Sequence, residues 1–252
     1  MLGLAALAPR PTILSAQAAA ELGAEDGPSA WTQILEAQVD DHGRIDFAGL
    51  AADAGRLERH VHWLASHGPV SSPADYASRD AILAYHLNAY NANAMLTVLQ
   101  NGAGGSLDAW RRVKVFLLSP IRVDDSWTTL YNYENRVIRP LADPRVHFAL
   151  NCMVKGCPRL PRLPFSAEVL DTQLNHAAQE FVRDQRNVRV DKPRKLVWLS
   201  EIFSFYTEDF LRTHESLIAY LNQYRDSADA VPNDFTIQFF PYDWTVNRRA
   251  AD

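Results

Sequence analysis

The chain has 252 residues, 25 basic and 30 acidic side chains, a formal net charge of −5 and 47% hydrophobic residues. This length fits one large domain or two small ones, and the hydrophobic content excludes a largely disordered chain. The negative net charge argues against nucleic-acid binding through phosphate neutralisation. Two cysteines exclude a disulfide-rich scaffold, and no run of 18 apolar residues is present that could span a membrane.

Residues 1–27 are predicted to be a leader, and residues 28–252 a single folded domain. Residues 2–8 are small and apolar, and residues 15–20 are typical of the cleavage region of a secretory signal. A positively charged segment before the first apolar run is missing, so an Ala-rich disordered leader fits as well. We expect a periplasmic or secreted protein, with a cytoplasmic location as the alternative.

The first hundred residues predict helices. Ser29 can cap a helix that carries Trp31, and a second helix is expected over residues 47–66. The strongest helical pattern covers residues 75–100, where apolar side chains recur every three to four positions until Asn101 provides a stop.

The rest of the chain mixes short strands with helices. The expected elements are a strand at 113–118, a strand or buried segment at 146–150, a helix at 166–183, a hairpin at 188–198, a helix after Ser200, a helix at 215–224 and a strand at 235–240. This order predicts an α+β fold, with a mostly helical shell around a small, largely antiparallel sheet.

Asn88, Asn91 and Asn93 lie within six positions of the strongest predicted helix. Asparagine is a poor helix former, and the neighbouring side chains leave little polar surface to solvate it. Because buried amides must be hydrogen-bonded, we expect a polar network between this helix and a loop. The network could be structural or part of a functional site.

Residues 147–158 hold both cysteines and one histidine. Cys152 and Cys157 could form a disulfide that closes a short loop. Alternatively, one cysteine is a thiolate nucleophile with His147 as its base, and Lys155 lowers the thiol pKa. Two interpretations remain. His147 and the cysteines could bind a metal ion, or both cysteines could be buried and inert.

His147 and Asp243 each have a structural interpretation beside the catalytic one. A lone histidine before an apolar run is more often a satisfied core side chain than a general base. Asp243, between two aromatic residues after a predicted strand, could orient a histidine or form an Asx turn.

Four motifs stand in a fixed order along the chain: residues 86–92, residues 147–158, Ser200 with Asp209-Phe210, and residues 241–247. Together they resemble the domain-of-unknown-function 547 family over residues 30–248. His86 stands where family members have tryptophan. The resemblance implies that the asparagines, His147, both cysteines and Asp243 belong to one recurring pattern, but it implies no settled activity.

The expected architecture is also loosely similar to papain and transglutaminase, although their nucleophilic cysteine opens the long helix and no cysteine does so here. We expect thiol-dependent acyl transfer or hydrolysis, with Cys152 as nucleophile and His147 as base. Asp243 would orient the base, and Asn88 or Asn91 would donate to the oxyanion. The alternative is a non-catalytic binding module shaped by a Cys152–Cys157 disulfide. The expected partner is a small molecule or peptide, with no cofactor and no metal.

Overall fold

The computed structural model describes residues 22–250. Most of the predicted leader therefore lies outside the described residues. Its last part is in contact with the domain, because Arg59 forms a 2.9 Å ion pair with the Asp26 carboxylate. His60 Nδ1 lies 2.9 Å from the Asp26 carbonyl oxygen, so this end of the predicted leader packs on the fold.

The first part of the described chain is helical, as expected. Its α-helices are α1 (Pro28–Gln38), α2 (Phe47–Ala52), α3 (Ala54–Leu64), α4 (Arg79–Gln100) and α5 (Ala109–Arg112). Helix α4 begins after Ser78, whose side chain accepts a hydrogen bond from the Ala81 amide and so satisfies one free donor of the first turn. The helix is buried on nearly all sides between residues 83 and 98, which makes it the central element of the N-terminal core.

Three predicted elements differ from the structure. The helix expected over residues 47–66 is two helices, which meet at Asp53. The apolar run Val113–Leu118 is a π-helix instead of a strand, because it continues the turn of α5. The segment at 146–150 is not a strand, since Pro144–Phe148 forms a 3-10 helix, although it is buried as expected.

The second part of the described chain alternates short helices with strands. The elements are β1 (Pro120–Val123), β2 (Ser126–Thr129), α6 (Leu130–Tyr133), a π-helix (Glu134–Ile138), α7 (Leu170–Arg183), β3 (Val188–Asp191), β4 (Leu196–Ser200), α8 (Glu201–Phe205), α9 (Thr207–Phe210), α10 (Leu217–Asn222) and β5 (Thr236–Phe240). The predicted hairpin is confirmed, because β3 pairs antiparallel with β4. Strand β5 adds in parallel to β4, and β1 with β2 forms a separate antiparallel ribbon.

The α+β class is confirmed, with about half of the described residues in helices and two small sheets. The likeness to papain and transglutaminase is not confirmed. None of the helices in the described part of the chain is both long and apolar enough to cross a membrane.

Two hydrophobic clusters form the interior. The larger one surrounds α4, and the smaller one lies between α7, the three-stranded sheet and α8–α10. The segment that follows His147 runs between them: Phe148 belongs to the smaller cluster and Leu150 to the larger one. Tyr242 packs against both, so the cysteine-bearing loop lies where the two clusters meet.

Candidate functional site

A cleft of about 440 Å3 opens beside this junction. Its walls are mainly aromatic and aliphatic, and the polar groups are few. Those polar or reactive lining side chains are Tyr90, Arg112, Glu134, His147, Cys152, Cys157, Tyr206 and Tyr242. A concave, largely apolar site with a few convergent polar groups is the usual form of a small-molecule site.

Both cysteines lie in this cleft as free thiols, with their Sγ atoms 2.7 Å apart. Tyr242 Oη donates to Cys157 Sγ at 3.2 Å, and the backbone N–H of Cys152 donates to the same sulfur at 3.0 Å. The predicted disulfide is therefore not found. Two donors, the Cys152 N–H and the Tyr242 hydroxyl, converge on Cys157 Sγ, which is also within hydrogen-bond distance of the Cys152 thiol.

This arrangement makes the two thiols unequal. The pKa of Cys152 is raised well above the ordinary thiol value, because the Cys152 thiol is hydrogen-bonded to Cys157 and is buried. Burial also opposes ionisation of Cys157, but the hydrogen bonds from Cys152 and Tyr242 outweigh it and lower the Cys157 pKa. Donors aimed at a sulfur stabilise its thiolate, so Cys157 is the thiol of the pair that ionises more readily.

Gly156 allows Tyr242 to approach the sulfurs. A Cβ atom at position 156 would lie 2.9 Å from three carbon atoms of the Tyr242 ring, closer than carbon atoms pack. The Gly156 N–H also donates to the Asp243 carbonyl oxygen at 2.8 Å. The cysteine loop and the segment after β5 therefore hold each other in place, and a larger side chain at 156 would separate them.

The expected polar network between α4 and a loop is confirmed for Asn91. Its Nδ2 donates to the Ala149 carbonyl oxygen at 3.0 Å, and its Oδ1 accepts from the Asn151 N–H at 2.8 Å. Asn151 in turn donates to the Pro158 carbonyl oxygen at 2.6 Å and accepts from the Met153 N–H at 2.7 Å. Both amides are occupied by backbone groups, so Asn91 fixes the loop that carries the cysteines.

Asn88 makes an equivalent clamp on a different loop. Its Nδ2 donates to the Phe165 carbonyl oxygen at 2.8 Å, and its Oδ1 accepts from the Phe165 N–H at 3.0 Å. It lines a second cleft, beside Trp31 and Trp63, and not the cysteine cleft. Asn88 is therefore not brought together with the cysteines that it was expected to assist. His86 does not line the cysteine cleft either. Its Nδ1 atom lies 2.7 Å from Tyr133 Oη.

His147 lines the cysteine cleft and pairs with Asp209. Its Nε2 lies 2.8 Å from Asp209 Oδ2, and its ring stacks on Tyr206 with 3.7 Å between the ring centroids. Arg139 Nε lies 2.6 Å from the same carboxylate oxygen. Burial alone would raise the pKa of Asp209, but the hydrogen bonds from His147 and Arg139 lower it, so this carboxylate stays ionised.

Asp243 does not reach His147. Its side chain is exposed, and its Oδ1 accepts a hydrogen bond from the Thr245 N–H at 2.9 Å. This is the Asx turn that was considered as the alternative. The carboxylate partner of His147 is Asp209. This residue lies in the third of the four motifs, but the sequence predicted no role for it.

No hydrogen bond joins His147 to either sulfur within residues 22–250. The His147 Nδ1 atom is buried and has no partner among these residues. Glu134 also lines the cleft and accepts a hydrogen bond from Tyr90 Oη at 3.2 Å. In the described part of the chain, no three His, Cys, Asp or Glu side chains are grouped so that they could hold a metal ion.

The fold and cleft together define an α+β domain with two unequal thiols and a histidine–carboxylate pair at one site. Residues 74–182 match the family described as a protein of unknown function, DUF547, which supports the resemblance carried by the sequence motifs. The matched residues include Asn91, His147 and both cysteines, whereas Asp209 and Tyr242 lie beyond them. Comparison with curated proteins gives no significant match, and comparison with solved structures gives none either.

The site residues without a predicted role are Asp209, Arg139, Glu134 and Tyr242. Asp209 and Tyr242 each lie in one of the four motifs, so the motif order was a usable signal for them. Glu134 and Arg139 belong to none of the four motifs, and their partners Tyr90 and Asp209 are distant in sequence.

Proposed function

We propose that the cleft is the active site of a thiol-dependent enzyme for acyl transfer or hydrolysis. The observation that carries this proposal is the convergence of the Cys152 thiol, the Cys152 N–H and the Tyr242 hydroxyl on Cys157 Sγ. Such donors lower the cost of forming a thiolate in a buried site. The geometry therefore supports Cys157, rather than Cys152, as the nucleophile.

A preformed thiolate does not need a base in contact with it, which fits the absence of a His147 contact to either sulfur in the described chain. The Asp209 carboxylate can only accept a hydrogen bond, so His147 Nε2 carries a hydrogen. Its Nδ1 is then the atom that exchanges a proton with a bound substrate. A histidine held by a carboxylate in this way is suited to general acid–base catalysis.

The proposed reaction has two steps. Cys157 Sγ attacks the substrate carbonyl carbon, a C–S bond forms, and the leaving group departs with the proton from Nδ1 of the His147 imidazolium. Water then attacks the thioester carbonyl and gives a proton to Nδ1. The C–S bond breaks, which releases the acid and restores the thiolate.

The second candidate is the non-catalytic binding module with a Cys152–Cys157 disulfide. It is supported by the 2.7 Å approach of the two sulfurs, which need little movement to become bonded. Oxidation to this disulfide would remove the nucleophile. Export, which would favour this disulfide, stays a prediction.

Alkylation by iodoacetamide across pH, followed by mass mapping of the labelled peptide, tests both candidates. We expect labelling at Cys157 with a pH midpoint below the ordinary thiol value of about 8.5. Tyr242→Phe should raise that midpoint, because it removes one donor to the thiolate. Tyr76→Phe is the matched control, since the Tyr76 hydroxyl donates to the His67 carbonyl oxygen, outside the cleft lining.

The other outcomes are equally distinct. Labelling only after reduction supports the disulfide-containing module, and labelling only on unfolding refutes both candidates. Preferential labelling of Cys152 with a low midpoint would return the nucleophile to that residue. As an activity test, p-nitrophenyl acetate should give a burst of p-nitrophenolate that Cys157→Ser abolishes.

A further inference from the structure

Arg112 is an unpaired cation in the wall of the cysteine cleft. It is the last residue of α5, is half-buried, and lines the same cleft as both sulfurs. Within residues 22–250, its guanidinium has no hydrogen-bonded acceptor and no ion-pair partner. Its neighbour Arg111 differs, because it donates to the carbonyl oxygens of Gly104 and Ser106 at 2.7 and 2.8 Å.

Aromatic stacking holds Arg112 on the wall that carries the nucleophile. The guanidinium carbon lies 4.6 Å from the centroid of the Trp244 ring. Trp244 packs against Tyr242 with 4.7 Å between ring centroids, and Tyr242 donates to Cys157 Sγ. Stacking on an aromatic face orients a guanidinium but leaves its N–H groups free for a ligand.

We propose that Arg112 binds a carboxylate of the substrate, so that the substrate is an acyl compound with an apolar body and a free carboxylate. This inference rests on the proposed function. A guanidinium binds a carboxylate through two parallel hydrogen bonds. Val113, Phe116 and Leu117 line the cleft beside Arg112 and give an apolar surface for the rest of the substrate. Glu134, in the same lining, disfavours a second negative group of the substrate next to its own carboxylate.

Two alkylating agents of nearly equal size test the charge preference directly. Iodoacetate carries the carboxylate that iodoacetamide lacks, and both lose iodide to the same thiolate. We expect Arg112→Gln to lower the ratio of the iodoacetate rate to the iodoacetamide rate about tenfold, the effect of one lost charge-assisted contact. Arg112→Lys, which keeps the charge but loses the paired donors, should give an intermediate ratio.

Lys114→Gln is the matched control. It removes one positive charge two residues away in the adjoining π-helix, and Lys114 does not line the cleft. An unchanged ratio in this variant shows that the effect is local to Arg112. An equal fall in Lys114→Gln and Arg112→Gln would assign the preference to the general field of this surface, and the proposal would be overturned.

A binding measurement keeps the inference testable if the thiols do not react. Calorimetry should detect 3-phenylpropanoate and N-acetylphenylalanine more strongly than their neutral amides, and Arg112→Gln should remove this difference. Preference for N-acetylphenylalanine indicates a peptide terminus, and preference for 3-phenylpropanoate a simple acid. Slow alkylation with intact carboxylate binding refutes only the proposed catalysis. If alkylation is fast, but Arg112→Gln leaves the ratio of the iodoacetate rate to the iodoacetamide rate unchanged and no carboxylate binds, only the role of Arg112 is refuted.

Discussion

Replacing Asn91 by Ala tests whether the cysteine loop is held by α4. The change removes the donor to the Ala149 carbonyl oxygen and the acceptor of the Asn151 N–H, and both backbone groups stay buried. An unpaired buried polar group costs about 1–3 kcal/mol, so the two groups together cost about 2–6 kcal/mol. For a chain of this size, that corresponds to a fall in melting temperature of about 4–24 °C.

Asn93→Ala is the matched control for the cavity left by the same truncation. Asn93 is equally buried in α4, but its Nδ2 donates only to the Ala89 carbonyl oxygen of its own helix, at 2.8 Å. That carbonyl keeps its helical hydrogen bond when the side chain is removed. The difference between the two variants therefore isolates the clamp on the loop.

Urea denaturation followed by circular dichroism gives the free energy of unfolding of each variant. We expect Asn91→Ala to be less stable than Asn93→Ala by about 2–6 kcal/mol. It should also change the rate at which iodoacetamide labels Cys157, because the loop that carries this residue is released. Equal stabilities within about 0.5 kcal/mol would refute the argument that the amide of Asn91 holds this loop.

Three further predictions concern buried polar groups and close packing. Asp209→Asn should destabilise the fold by about 2–4 kcal/mol in urea denaturation, because it removes the carboxylate that binds the buried His147 ring and pairs with Arg139; an unchanged midpoint would contradict this. Burial lowers the pKa of His86 to about 4, below its unfolded value of 6.5, so the unfolded state takes up the proton first as the pH falls. Between pH 7 and 4.5, His86 should therefore reduce the free energy of unfolding by about 2–3 kcal/mol, and His86→Phe should remove this reduction. Parallel curves of unfolding free energy against pH for the parent and the variant would contradict this prediction. Gly156→Ala should move the Tyr242 ring and slow alkylation of Cys157 severalfold at pH 7, and labelling at the parent rate would show that the ring tolerates a Cβ atom.

Local signals in the sequence predicted much of the fold. The spacing of apolar residues located α4, and Ser200 was correctly expected to cap the helix after β4. The run at 113–118 was misassigned because β-branched and aromatic residues favour strands in isolation. Its conformation is decided by continuity with α5, which is not a property of the run itself.

The sequence predicted several residues of the candidate site, but not which of their side chains contact each other. Both cysteines and His147 do line one cleft, and Asn91 supports it. The carboxylate partner of His147 lies 62 residues away in sequence, and no local pattern distinguishes Asp209 from Asp243 as that partner. Tyr242 belongs to the last of the four motifs, but its role depends on a contact across 85 residues, which no local pattern predicts.

The segment after β5 is joined to the cysteine loop by backbone hydrogen bonds. Lys155 N–H donates to the Thr245 carbonyl oxygen and Gly156 N–H to the Asp243 carbonyl oxygen, both at 2.8 Å. Farther along the segment, the Asn247 carbonyl oxygen accepts from the Ile45 N–H at 2.9 Å. This stretch therefore connects the cysteine loop with a turn near the start of the domain.

This connection has a consequence for biosynthesis. Domains generally fold as units during synthesis, and Cys152 and Cys157 are made 90 and 85 residues before Tyr242. Until residue 242 has been made, the nascent thiols lack the hydroxyl that donates to Cys157 Sγ. The donor set around this sulfur is therefore completed only after the segment that follows β5 has been synthesised and has paired with the cysteine loop.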